Sequence, residues 1–200
     1  AQTANASEHA AIVEMVERHE GRDSAAIARY WLTRQPEAFS AIRRVDGALI
    51  GFAANLTLER VTAEDIAVDP AVSRAIGSAQ RHAPPQPGEV VLYGRFWMDA
   101  ERHQAITRVF TVVAAITSQS WIGPNVAWSF VAMADPDLME PMFIELQMPR
   151  QPEADFEIGG RRYGVFAHDW RAQPANTWLR LKAERALHID AADLRRSVRL

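Results

Sequence analysis

The chain is expected to fold as an α/β (α+β) domain with a mixed, mostly antiparallel sheet flanked by helices and with extra N- and C-terminal helices. Three observations lead there. Residues 89–98 alternate with period two and 126–133 are a nearly continuous apolar run; the stretch between them has helical spacing, and a helical crossover makes two such strands parallel neighbours. Residues 38–57 and 153–169 each contain two strand-like segments joined by a tight turn, which makes antiparallel hairpins. Two hundred residues, 48% apolar, suit one domain with added helices rather than two full domains.

Taken in order, 7–19 and 24–34 are helical stretches, with Ile12, Met15 and Val16 and then Ile27, Tyr30 and Trp31 as their apolar faces. Residues 38–45 and 48–57 read as strands across the turn Asp46-Gly47. Asp69 before Pro70 suits an N-cap and first helical position, so a helix starts there and ends in the proline-rich loop 82–88.

In 89–98 the even positions Val90, Leu92, Phe96 and Met98 are apolar, while the odd ones include Glu89, Tyr93, Arg95 and Trp97. This describes a strand with one face on a core and the polar face as a candidate site wall. Gly94 interrupts the apolar face and marks a bulge or a close backbone approach. Beyond Asp99, residues Ile106, Val109, Phe110, Val113 and Ile116 fall three and four apart, giving a helix with one buried face that Gly123-Pro124-Asn125 ends. The run 126–133 suits a central strand covered on both sides, and Asp135 before Pro136 caps a helix to about Met148. Gly159-Gly160 then forms a two-residue turn that sets Phe156 across from Tyr163 as an aromatic pair and Glu157 across from Arg162 as an ion pair. Residues 177–187 are helical, and 190–200 carry basic residues where they favour a helix dipole.

In this order of elements, 89–170 resemble the second half of a GNAT-superfamily acyltransferase domain: fourth strand, cofactor loop, helix, fifth strand, helix and final hairpin. Ile50-Gly51-Phe52-Ala53 after the first turn is similar to that family's early hairpin, and the resemblance covers 24–171. It implies transfer of an acyl group from acetyl-CoA or another acyl-CoA to an amine. It places cofactor contacts on Phe96, Trp97 and Met98, where the strand would hydrogen-bond the pantetheine arm, and on Arg102, His103, Gln104, Ala105, Ile106, Thr107 and Arg108 of the loop that would hold the pyrophosphate. A carboxylate such as Glu89 or a histidine such as His168 would serve as base.

The departures from that pattern make a degenerate motif. Where the family's loop reads Arg-Gly-x-Gly-x-Gly, this chain has no glycine between Met98 and Thr107, and the glycine positions fall on Gln104, Ile106 and their neighbours. Side chains there obstruct a phosphate, although Arg102, His103 and Arg108 offer positive charge. Phe143 stands where the family places a tyrosine that protonates the leaving thiolate, and general acid catalysis is worth about 10²–10⁴-fold. Residues 66–79 superficially resemble the cofactor loop, but the fifth strand would then fall where 102–120 have helical spacing.

Composition excludes several classes. A formal charge of −3 leaves no electrostatic footprint for nucleic acid, and no cysteine is present for disulfides or thiol catalysis. The six histidines lack ligand spacing, so no metal is expected; Asp169 follows His168, but strand neighbours point to opposite faces. With no signal peptide and no 18-residue apolar span, a cytoplasmic protein without membrane contact is expected. A start at Ala1 fits one GNAT-like domain of a longer protein, with a core at 24–171, an N-terminal helix at 1–23 and a helical tail at 172–200. Two functions remain: acyl-CoA-dependent N-acyltransfer with an impaired or non-standard site, or a non-catalytic regulatory domain that takes a small molecule, a protein or another domain of the same polypeptide in its cleft.

Overall fold

The computed structural model describes residues 2–187. A two-residue edge strand, β1 (Gln2–Thr3), leads into helices α1 (His9–Glu20) and α2 (Arg22–Arg34). Gly21 joins the helices at φ +92°, a conformation that glycine reaches without penalty. The hairpin β2 (Phe39–Arg43) and β3 (Leu49–Thr57) follows, then the short α3 (Ala63–Val68) and α4 (Pro70–His82). Asp69 caps α4 by accepting from Ala71 N at 3.2 Å, so the segment that mimics a cofactor loop is a helix. The remaining elements are β4 (Val90–Asp99), α5 (Arg108–Trp121), β5 (Val126–Met133), α6 (Pro136–Glu145), β6 (Phe156–Ile158), β7 (Arg161–Asp169) and α7 (Ala175–Leu187).

The seven strands form one sheet in the order β1-β2-β3-β4-β5-β7-β6, antiparallel except between β4 and β5. Its two faces carry separate cores. Residues from α1, α2 and α4 cover one face over Phe39, Phe52, Tyr93 and Phe96, and residues from α5, α6 and α7 cover the other over Trp97, Val131 and Phe166. β4 and β5 pair in parallel only from Val90↔Val126 to Gly94↔Val131. Beyond Gly94, where the β4 bulge begins, no pairing joins them.

Some expectations need correction. β4 does not keep one apolar face: the pairing with β3 jumps from Ala54↔Phe96 to Asn55↔Gly94, leaving Arg95 as the extra residue of a bulge. A bulge reverses the alternation, so Leu92 and Trp97 share the α5 side while Tyr93, Phe96 and Met98 share the α1 side. Ile106 lies before α5 and is 73% exposed, so it is not part of the buried helical face. α6 ends at Glu145, short of Met148. The final hairpin has the expected register, Phe156↔Tyr163 and Glu157↔Arg162, with the Phe156 and Tyr163 rings stacked at 4.9 Å. Arg162 nevertheless approaches Asp137 at 3.7 Å instead of pairing with Glu157, because Asp137 at the start of α6 comes within reach. Residues 190–200, expected to carry basic residues favourable to a helix dipole, lie outside the described residues.

Candidate functional site

The separation of β4 and β5 defines the site, and the loop between β4 and α5 shapes it. This loop folds back on its own strand. Asp99 N donates to His103 O at 2.8 Å, and the Asp99 carboxylate accepts from Glu101 N at 2.8 Å, Arg102 N at 3.1 Å and the Thr107 hydroxyl at 2.7 Å. Burial alone would raise the pKa of Asp99, but the Thr107 hydroxyl and the two amides outweigh it and hold the carboxyl below its usual range. The carboxylate thus holds the amides of Glu101 and Arg102 at the start of the loop. The amides of Ile106, Thr107, Arg108 and Val109 have no partner among the described residues, and Arg102 and Arg108 are exposed beside them.

Gln104 fills the gap between the strands. It is buried, its Oε1 accepts from Ala134 N at 2.8 Å, and its Nε2 lies 3.5 Å from Ala132 O. Its side-chain amide thus meets the unpaired end of β5 as a neighbouring strand would. His103, just before it, is held at φ +52°, uncommon for a residue with a side chain. On the outer side of this loop lies a cleft of about 360 Å³ lined by Arg102, His103, Gln104, Ala105, Asp135 and Arg161.

On the α5 and α6 side the gap is closed by aromatic packing. Phe143 is fully buried and stacks on Phe166 at 4.3 Å, while Trp97 meets Phe110 at 5.4 Å. Phe96 and Met98 are buried on the opposite face, so the expected cofactor-contact residues of β4 divide between two cores.

Within the core on the α1 and α2 side lies a polar cluster, of which only His103 was among the site residues expected from the sequence. Glu20, at the end of α1, accepts from the Tyr163 hydroxyl at 2.9 Å, and His103 Nε2 lies 3.0 Å from its other oxygen. Desolvation raises the pKa of Glu20, but the His103 contact, the Arg95 charge and Tyr163 together bring it below the ordinary value. Arg95, from the bulge, donates Nε to Asp69 at 2.9 Å, and both side chains have no exposure. Asp69 also accepts from Trp31 Nε1 at 2.9 Å. Arg95 Nη1 and Nη2 and the Tyr93 hydroxyl are buried without partners. The signal for this cluster was the polar side of β4, where Tyr93 and Arg95 sit; nothing in the sequence pointed to Glu20 or Asp69.

Glu89 and His168 lie elsewhere. Glu89 precedes β4, at the end away from the gap, and accepts from Gln86 N at 2.7 Å and Arg171 Nη1 at 3.1 Å. His168 pairs with Ser129, level with Leu92, so it too is on the paired side of the bulge. Its ring nitrogens face the carbonyl oxygens of Gln147 at 2.7 Å and Gln173 at 3.0 Å, which ties up both.

No protein-family model and no curated protein matches the chain. Among solved structures it is similar to the "histone acetyltransferase HPA2 and related acetyltransferase" of Corynebacterium glutamicum, at 10% identity over 82% of this chain and 92% of that one, with a TM-score of 0.50. It is similar to an N-acetyltransferase from Staphylococcus aureus at 9% identity over 84% and 98%, also with a TM-score of 0.50. The Arabidopsis thaliana NAA60, solved with a bisubstrate analogue, matches at 12% identity over 84% and 95%, with a TM-score of 0.50. At these identities the likeness shows the fold alone: a mixed, mostly antiparallel sheet flanked by helices, as in the GNAT fold.

The residues present do not fit an acyl-CoA held in that fold's usual way. Gln104 fills the gap between the strands, where the resemblance would place the pantetheine arm. Among the described residues no group of three or more His, Cys, Asp or Glu could hold a metal, and no helix is long and apolar enough to cross a membrane.

Proposed function

We propose that this is a non-catalytic, GNAT-like ligand-sensing domain of a larger regulatory protein. The carrying observation is Gln104, whose side-chain amide completes the unpaired end of β5. Phe143 in a stacked aromatic core supports the same reading, since it sits where the resemblance places a proton-donating tyrosine. The polar cluster of Glu20, Arg95 and Tyr163 on the other face supplies the binding chemistry. Its partners are then a small molecule in that cluster and neighbouring domains of the same polypeptide, in the cytoplasm.

The test is thiol release from acetyl-CoA in the presence of a panel of primary amines. No release above the rate without protein is expected. Turnover by the unaltered protein that falls when Arg102 and Arg108 are replaced by alanine would establish the enzyme reading instead, because those residues flank the free amides at the start of α5.

A further inference from the structure

The unpartnered donors of Arg95 and Tyr93 call for an acceptor. Arg95 uses only Nε on Asp69, which leaves the two Nη groups buried without a hydrogen bond among the described residues, and the Tyr93 hydroxyl is in the same condition. Native structures leave few buried polar atoms unsatisfied, and charged donors are the costliest to strand. The fork is also held in place. Its carbon lies 4.3 Å from the Phe96 ring centroid, 5.1 Å from that of Phe156 and 5.9 Å from that of Tyr163. A planar fork fixed in this way matches a carboxylate with two parallel hydrogen bonds.

Charge narrows the ligand further. Asp69 already balances Arg95, and Glu20 adds a second carboxylate, bridged to the Arg95 region by Tyr163. Arg95, Asp69 and Glu20 together carry one net negative charge, so a bare anion is disfavoured. A ligand that brings its own ammonium beside its carboxylate adds no net charge.

We infer that this cluster binds a small zwitterionic amino acid, its carboxylate on the Arg95 fork and Tyr93 hydroxyl and its ammonium against Glu20. This deepens the sensing reading and rests on it. The 99–107 loop separates the cluster from the outer cleft, since His103 lines that cleft and also touches Glu20. Access requires the loop to lift, and the ligand ammonium then competes with His103 for Glu20. Occupancy of the buried site is thereby converted into displacement of a surface loop.

Calorimetric titration of the domain with the proteinogenic L-amino acids tests this, each binder being compared with its decarboxylated amine and its deaminated acid. At least one saturable binder is expected, with both counterparts weaker by about tenfold or more, as befits loss of a charge-assisted hydrogen bond. Tyr93→Phe removes only an unpartnered hydroxyl and so keeps the fold, yet should weaken binding about tenfold; Arg95→Met should abolish it. The inference is overturned if no amino acid binds, if the acid or amine alone binds as well, or if Tyr93→Phe binds as the unaltered protein does. Acetyl-CoA in the same series separates the two readings: its binding defeats the sensing reading, whereas silence from both ligand classes defeats only the amino-acid inference.

Discussion

Replacing Gln104 by methionine should destabilise the fold by about 2 kcal/mol, because it strands a backbone amide that nothing else serves. Gln104 Oε1 accepts from Ala134 N at 2.8 Å; the 3.5 Å contact of Nε2 with Ala132 O is at the edge of hydrogen-bonding distance and adds little. Methionine keeps the length and most of the volume, so its cost is mainly that of the unpaired amide. Alanine also leaves a void at a position only 8% exposed, raising the cost to about 3 kcal/mol. For a domain of this size, 2 kcal/mol corresponds to about 4–8 °C in Tm. Urea unfolding followed by circular dichroism reads the difference as a shift in midpoint at unchanged slope. A methionine variant within about 0.5 kcal/mol of the unaltered protein would refute the reasoning, since the side chain then does not complete β5.

Arg95→Met should cost about 3–5 kcal/mol by leaving Asp69 buried without its counter-charge, read as loss of urea resistance. Gly164→Ala should cost at least about 1–3 kcal/mol, because a Cβ there overlaps Pro136 Cβ; an unchanged thermal midpoint would show that α6 yields freely. Glu20 and Asp99 are both held below the usual carboxylate range, so their stabilisation is present at neutral pH and is lost as pH falls through and below about 4. Urea midpoints between pH 7 and pH 3 should show this fall, and Glu20→Gln should flatten part of it.

The sheet was legible because its signals are local. Period-two runs, the glycine turns at 47 and 159–160, and Asp-Pro helix starts at 69–70 and 135–136 each decide their own element. β1 and α3 were missed because two and six residues are too short for periodicity to register. Gly94 signalled the bulge, but its consequence for side-chain direction depends on which β4 residue opposes which β3 residue, and so Tyr93 and Phe96 were assigned to different faces. The changed loop was visible in its missing glycines. What Gln104 does was not, since its partners Ala132 and Ala134 are far along the chain and meet it only through backbone atoms. The buried cluster draws Glu20, Asp69, Arg95 and Tyr163 from four widely separated positions, so no spacing in the sequence connects them.

Titration of the unaltered domain with acetyl-CoA, followed by thermal shift, tests most directly whether the chain closes its own cofactor slot. No change in midpoint is expected up to millimolar ligand while Gln104 fills the gap between β4 and β5. A ligand at 100 times its Kd adds about 2.7 kcal/mol, or about 5–11 °C for a domain of this size. A saturable rise of that order in the unaltered protein would contradict the closed slot.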